Sequence, residues 1–166
     1  MTELFEYFAD FILVPIYIFA FWYISEHDFY LIAAGVFGWT LMEYLIHRFA
    51  FHARDGSIKE LHDDHHRFPK KLMGNKPWHT AGCMVTLAGI FFIFGGINDA
   101  ANLTIGLLLG YLAYSTIHIR LHHGAPGDFS LPVALLYRHH ATHHRGGNFN
   151  FGVTTSLWDW VFQTKR

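Results

Sequence analysis

The chain has 166 residues with a formal net charge of −1, so one domain is the expectation and there is no general electrostatic case for a nucleic-acid partner. Charged residues make up only 15% and aromatic residues 18%, a balance that suits a lipid-facing surface better than a water-soluble core. The fourteen histidines outnumber either the acidic or the basic residues, while the single cysteine, Cys83, excludes an intrachain disulfide and any thiolate cluster. A metal held here must therefore rest on nitrogen, with oxygen as the other option.

Four apolar segments follow in chain order: residues 4–24, with Pro15 inside, then 29–51, 81–97 and 101–121. Each is about as long as a helix needs to be to cross roughly 30 Å of hydrocarbon. The acidic Glu3, Glu6 and Asp10, with no Lys or Arg among residues 1–10, have the wrong sign for a signal peptide, so the first segment is expected to stay in the mature chain. Tight links at Ser25–Asp28 and Asn98–Asn102 predict two antiparallel hairpins. None of the twelve basic residues, Arg54 among them, falls in either link, so the positive-inside rule puts the ends of segments two and four, and both termini, on the cytoplasmic side. The expected fold is an all-α, multi-pass integral membrane protein with four transmembrane helices. A cytoplasmic helical cap would be formed by residues 122–166 and the 52–79 loop. In that cap, Gly124–Gly127 reads as a turn, Leu131–Arg145 as a helix ended by Gly146-Gly147-Asn148, and Ser156 with Asp159 as the capping box of a last short helix.

The histidines collect on that same side. His47 and His52 close segment two, and His118 and His122 close segment four. Beyond them, His62-x-x-His65-His66 and His140-x-x-His143-His144 repeat one spacing. On a helix each triplet lies within an arc of about 100°, so it can aim at one point or at two neighbouring points. His118 and His122 share a face at i and i+4. His47 and His52 are about 140° apart on an ideal helix and can converge only where the helix ends or distorts, unless they serve different ions. Ten ligands are enough for two five-coordinate metals, and ten buried imidazoles without metal would lack partners. Imidazole suits zinc, copper, iron and nickel alike, but ten neutral imidazoles exceed a closed structural zinc site and suit a dinuclear redox centre.

Glu43 lies one turn before His47 and is expected to accept an N–H from a ligand imidazole. Asp63, Asp64 and Asp159 invite the same reading. His123 and His139 point away from their ligand neighbours and are expected in outer or surface positions, His27 in an exposed link, and His79 is a further residue that could reach metal or substrate. Phe91, Phe92, Tyr111 and Tyr114 are candidates to line an apolar substrate between the helices, and Lys70, Lys71 and Lys76 form a basic surface that could hold an acidic group or dock an acidic partner.

The runs Glu43–His52, His62–His66, His118–Gly124 and His139–His144 resemble the histidine boxes of the fatty acid hydroxylase / sterol desaturase superfamily, and Phe149–Asp159 resembles its C-terminal signature. The Glu-Tyr-x-x-His-Arg-Phe-x-Phe-His run and the His-His-Gly-x-Pro turn at His122–Pro126 are most like fatty acid 2-hydroxylases. The resemblance implies a membrane-embedded diiron centre that uses O2 to hydroxylate a lipid C–H bond. Its ligands would be His47, His52, His62, His65, His66, His118, His122, His140, His143 and His144. Zinc can replace iron in purified protein of this kind. Eukaryotic members often carry a fused haem domain that this sequence lacks, so electrons are expected from a separate small haem or iron–sulfur protein. The loop Phe68–Trp78 is shorter than the family's, which bears on the substrate headgroup. Carotenoid ring hydroxylation and sterol oxidation are the alternatives within the superfamily, and a membrane metal carrier is the alternative outside it.

Overall fold

A computed structural model describes residues 2–52, 56–72 and 76–166; Arg54 and the middle of the 68–78 loop lie outside them, and of residues 2–4 and 7 only the backbone is described. Helices α1 (Thr2–Ile24) and α2 (Phe29–Leu45) lead into a π-helical turn (Ile46–Phe51). After these come α3 (Ser57–Arg67), α4 (Pro77–His123), α5 (Leu131–Gly146) and α6 (Leu157–Val161), with no strand among the described residues. Phe29–Phe51 and Pro77–His123 are long and apolar enough to cross a membrane, and residues 8–24 form a shorter apolar helix. Ile93 and Phe94, 76% and 87% exposed, have no core to enter, as expected of side chains that meet hydrocarbon.

Unbroken, the 47 residues of α4 would run about 70 Å, more than twice the hydrocarbon thickness. The break comes at Gly96, where φ is 76° and ψ −171°. A residue without Cβ is what permits that backbone. This corrects the expected link at Asn98–Asn102, whose residues are helical. The asparagines are polar for another reason. Asn98 Oδ1 accepts the Glu26 N–H (3.1 Å), Asn102 Oδ1 accepts that of Asp28 (3.2 Å), and Asn102 Nδ2 donates to the Glu26 carbonyl (2.8 Å). They tie down the other predicted link. Within that link Asp28 caps α2, accepting the N–H groups of Tyr30 and Leu31 at 2.9 and 3.1 Å.

The chain divides into two compact units, residues 1–39 with 72–112, and residues 40–71 with 113–166. In the first, α2 and α4 approach through facing glycines: a Cβ on Gly106 would lie 2.1 Å from the Ile32 carbonyl oxygen and 2.7 Å from Gly35 Cα. The buried Asp10 of α1 accepts hydrogen bonds from Thr80 Oγ1 (2.8 Å) and from the Tyr111 hydroxyl, so this acid inside an apolar helix is satisfied by protein. In the second unit the C-terminal stretch folds onto the end of α2. Tyr44 stacks on Phe162 at 5.3 Å, its hydroxyl meets Thr164 Oγ1 at 3.0 Å and accepts Arg48 at 2.8 Å, and Trp158 donates to Thr40 at 2.9 Å. Asn150 turns the chain in a left-handed conformation (φ 56°) and anchors it by accepting the Arg166 N–H at 2.7 Å.

Candidate metal centre

The second unit gathers the ten histidines into two groups of five. His47, His52, His62, His66 and His143 form one, and His65, His118, His122, His140 and His144 the other; in each, the five ligand nitrogens lie within 4.8 Å of one another. The π-helical turn resolves the awkward spacing of the first pair. The His52 N–H bonds the His47 carbonyl at 3.3 Å, an i to i+5 turn that brings residues five apart onto one face. The H-x-x-H-H triplets divide between the groups. In each, the first and third histidines stay together, at i and i+4, while the middle one crosses: His65 joins the second group and His143 the first.

Neighbouring Nε2 atoms are 3.0–3.3 Å apart in the first group (His62 to His66 3.0 Å, His52 to His143 3.3 Å) and 2.9–3.1 Å in the second (His122 to His140 2.9 Å, His140 to His144 3.1 Å). With metal–imidazole bonds of about 2.1 Å, ligands at right angles sit about 3.0 Å apart and tetrahedral ones about 3.4 Å. Both the spacing and the count of five fit a higher-coordinate ion better than tetrahedral zinc. His65 Nε2 is buried with no hydrogen-bond partner among the described residues, an inward lone pair that a cation would satisfy.

Burial is the largest cause holding these rings neutral. It brings His52 down to about 4 and His65 and His143 to about 3, and it keeps His62 and His140 well below the ordinary histidine value. Neutral rings are the form that ligates metal. Because these folded-state values lie below the unfolded value of about 6.5, the unfolded chain binds more protons between about pH 6.5 and pH 3. The metal-free protein is therefore expected to lose stability steadily as the pH falls from about 6.5 to about 4, read as a falling thermal midpoint in detergent. A midpoint independent of pH over that window would contradict buried neutral rings.

Two backbone carbonyls aim the first group. His47 Nδ1 donates to the Phe151 carbonyl (2.5 Å) and His143 Nδ1 to that of Phe149 (2.8 Å), which leaves each Nε2 lone pair inward. Among the described residues Glu43 makes no hydrogen bond to an imidazole, contrary to expectation. Its Oε1 accepts the N–H groups of Val153 (2.5 Å) and Thr154 (2.9 Å), and its Oε2 the Thr154 hydroxyl (2.6 Å). Asp159 grips the same stretch, accepting Phe151 N–H and Gly152 N–H (both 2.8 Å), together with Thr164 Oγ1 (2.7 Å) and His139 Nε2 (3.0 Å). Burial pushes its carboxyl up, but these bonds outweigh burial and hold it below the usual carboxylate range. Asp159 therefore acts on the tail and on His139 rather than on a grouped imidazole, and it does not complete a capping box: Ser156 makes no side-chain cap. Asp63 and Asp64 instead pair with Lys59 and Arg67 on the surface of α3.

The remaining histidines stay out of both groups. His139 is buried on Asp159, His123 and His79 are exposed, and His27 stacks on Trp22 at 3.6 Å. Of the proposed lining residues, Tyr114 lies 5.5 Å from the His118 ring, Tyr111 is buried on Asp10, Phe91 is half-buried and Phe92 exposed. Lys70 and Lys71 are exposed beside Phe68, and Lys76 sits over the Trp78 ring at 5.1 Å.

The fatty acid hydroxylase family profile matches residues 32–164, which span all ten grouped histidines. The chain belongs to the fatty acid hydroxylase family. A dihydroceramide fatty acyl 2-hydroxylase of Arabidopsis thaliana is 35% identical over 143 residues, covering 81% of this chain and 60% of its own length. The fatty acid 2-hydroxylase of Homo sapiens is 33% identical over 145 residues, covering 78% of this chain and 38% of its own. Among solved structures, full-length scs7p with only its hydroxylase domain visible superposes with a TM-score of 0.76 at 25% identity, over 97% of this chain and 67% of that one. The chain thus spans less than two thirds of the length of these sequence relatives.

Proposed function

We propose that this chain is a membrane-embedded, O2-dependent diiron hydroxylase that places a hydroxyl on the 2-carbon of a fatty acyl chain, free or within a lipid. The observation that carries this reading is the pair of five-imidazole groups inside a chain of the fatty acid hydroxylase family. Relatives described as fatty acid and dihydroceramide 2-hydroxylases favour an acyl substrate over a carotenoid or sterol.

His47, His52, His62, His66 and His143 would hold one iron, and His65, His118, His122, His140 and His144 the other. When bound, the pair supplies the activation of O2 and the oxidation of a C–H bond. The reaction balances as one C–H bond, O2, two electrons and two protons giving one C–OH and one water. The chain's own contribution is to hold ten neutral nitrogens in place and to keep the Nδ1 protons of His47 and His143 on carbonyls, away from the reacting face. Tyr114, beside His118, is the best-placed of the lining candidates to touch the acyl chain; Phe91, Phe92 and Tyr111 complete the proposed set.

The proposed topology has four spans in two hairpins, with the metal centre, the helical cap and both termini on the cytoplasmic side. The break at Gly96, which divides α4 into two limbs each about the length of one crossing, supports it. The two electrons would come from a separate small haem or iron–sulfur protein. Lys70, Lys71 and Lys76 offer it, or an acidic headgroup, a basic surface.

Lipid mass spectrometry of cells with and without the protein, grown under 18O2, tests the activity. The expected result is a 2-hydroxyacyl species, 18 Da heavier than its parent under the label, that vanishes without the protein. Labelled xanthophyll or sterol with no hydroxyacyl product would sink the acyl reading.

A further inference from the structure

We infer that the two histidine groups hold metal unequally: the group containing His47 and His143 binds the tighter ion, because Glu43 and Asp159 together clamp the peptide stretch that braces it. The inference rests on the reading of both groups as metal sites.

The asymmetry is in what stands behind the rings. In the first group, His47 and His143 each have their outer nitrogen on a carbonyl, from Phe151 and Phe149. Those carbonyls belong to a stretch that is itself held. Glu43 takes the N–H groups of Val153 and Thr154, and Asp159 those of Phe151 and Gly152, so four consecutive amides end on two carboxylates. Asn150 adds a further anchor through Arg166, and both Asn150 and Asp159 are fully buried. In the second group, the outer nitrogens of His140 and His144 are buried and have no hydrogen-bond partner among the described residues.

A ring whose Nε2 binds metal carries its proton on Nδ1. In the first group that proton meets a carbonyl of the clamped stretch at two of the five rings. In the second it is buried unpaired at two of the five, which disfavours the ligating tautomer. Removing such an outer partner typically weakens metal binding about 10–100-fold. The two groups are built to one plan: each has a helix-end pair (five apart on the π-helical turn in the first, four apart in the second), an i and i+4 pair, and one crossed histidine. The difference in bracing is therefore the difference that decides. Glu43 and Asp159 are positioning residues for the first group, acting through the 151–154 backbone.

Zinc binding reads this without activity. Protein loaded with two zinc ions per chain is challenged with rising EDTA, and retained zinc is counted by elemental mass spectrometry. One ion is expected to leave at a free chelator concentration about 10–100-fold lower than the other. Crystals grown with one equivalent of zinc are expected to show the anomalous peak among His47, His52, His62, His66 and His143. Asp159→Asn and Glu43→Gln are expected to shift the tighter step toward the weaker one and leave the weaker step where it was; a merely structural role would move both steps together. If neither variant folds, the wild-type titration and the anomalous map still decide. Release of both ions in one step, or a first peak in the second group, would overturn the inference and leave the two-site reading standing. Failure of the folded protein to hold two ions would overturn both.

Discussion

His143→Ala is expected to reduce turnover by more than the roughly 100-fold that loss of an outer partner costs, while the protein still inserts into the membrane and is recovered at near-normal yield. His143 is completely buried, comes from α5, and is the only member of its group from the C-terminal half of the chain. Its removal leaves four nitrogens and unseats the Phe149 carbonyl contact. His65→Ala is the mirror experiment, since His65 is the one residue that α3 lends to the second group. Each variant should lose metal chiefly from the group it enters by crossing, not from the group its sequence neighbours build. Turnover within threefold of wild type in either variant would refute the ligand assignment. Hydroxylated lipid per mole of protein, with metal content beside it, is the measurement.

Gly106→Leu is expected to be among the most damaging changes outside the histidines. A Cβ at Gly106 would meet backbone, the Ile32 carbonyl oxygen at 2.1 Å and Gly35 Cα at 2.7 Å, and no rotamer relieves a clash with main chain. Small residues are what allow helices to approach this closely in an apolar medium. Overpacking commonly costs about 1–3 kcal/mol, and a backbone clash belongs at the upper end, for a fall of roughly 6–12 °C in thermal midpoint for a chain of this size. Gly38→Ala on α2 is the control, because its Cβ would meet nothing within 4 Å and should leave the midpoint within about 2 °C. Melting curves of the purified protein in detergent compare the two. Equal midpoints would show that α2 and α4 do not meet at these glycines.

Much of the centre was legible because histidine spacing on a helix fixes direction. The i and i+4 pairs His62/His66, His118/His122 and His140/His144 each stay in one group, and the five-residue spacing of His47 and His52 left a helix end, a distortion or separate ions open, of which the π-helical turn supplies the distortion. The crossing of His65 and His143 was not legible. Angular position says which rings share a face, but not which of two neighbouring points a ring reaches once two helices are packed side by side. The asparagines at 98 and 102 misled in a different way. Polarity looked like a turn, but its cause was the hydrogen bonds to Glu26 and Asp28, and the turn went to the glycine nearby that tolerates positive φ. Glu43 was singled out but given the wrong partner, because the groups that brace His47 and His143 are carbonyls. Every residue has a carbonyl, and no side-chain pattern marks the two at Phe149 and Phe151. The tail motif that contains them was visible only as a resemblance.

The crossed histidines also set a schedule. A chain synthesised from its N-terminus presents His47, His52, His62, His65 and His66 well before anything of α5 has been made. Because the middle histidine of each triplet belongs to the other group, those early residues can build at most four fifths of one cage. The second cage likewise needs His65 from the part made first. Neither closes until residue 143 or 144 has left the ribosome and α5 has docked. Filling of both proposed metal sites would therefore wait for α5, and a product truncated before residue 143 lacks both finished cages at once.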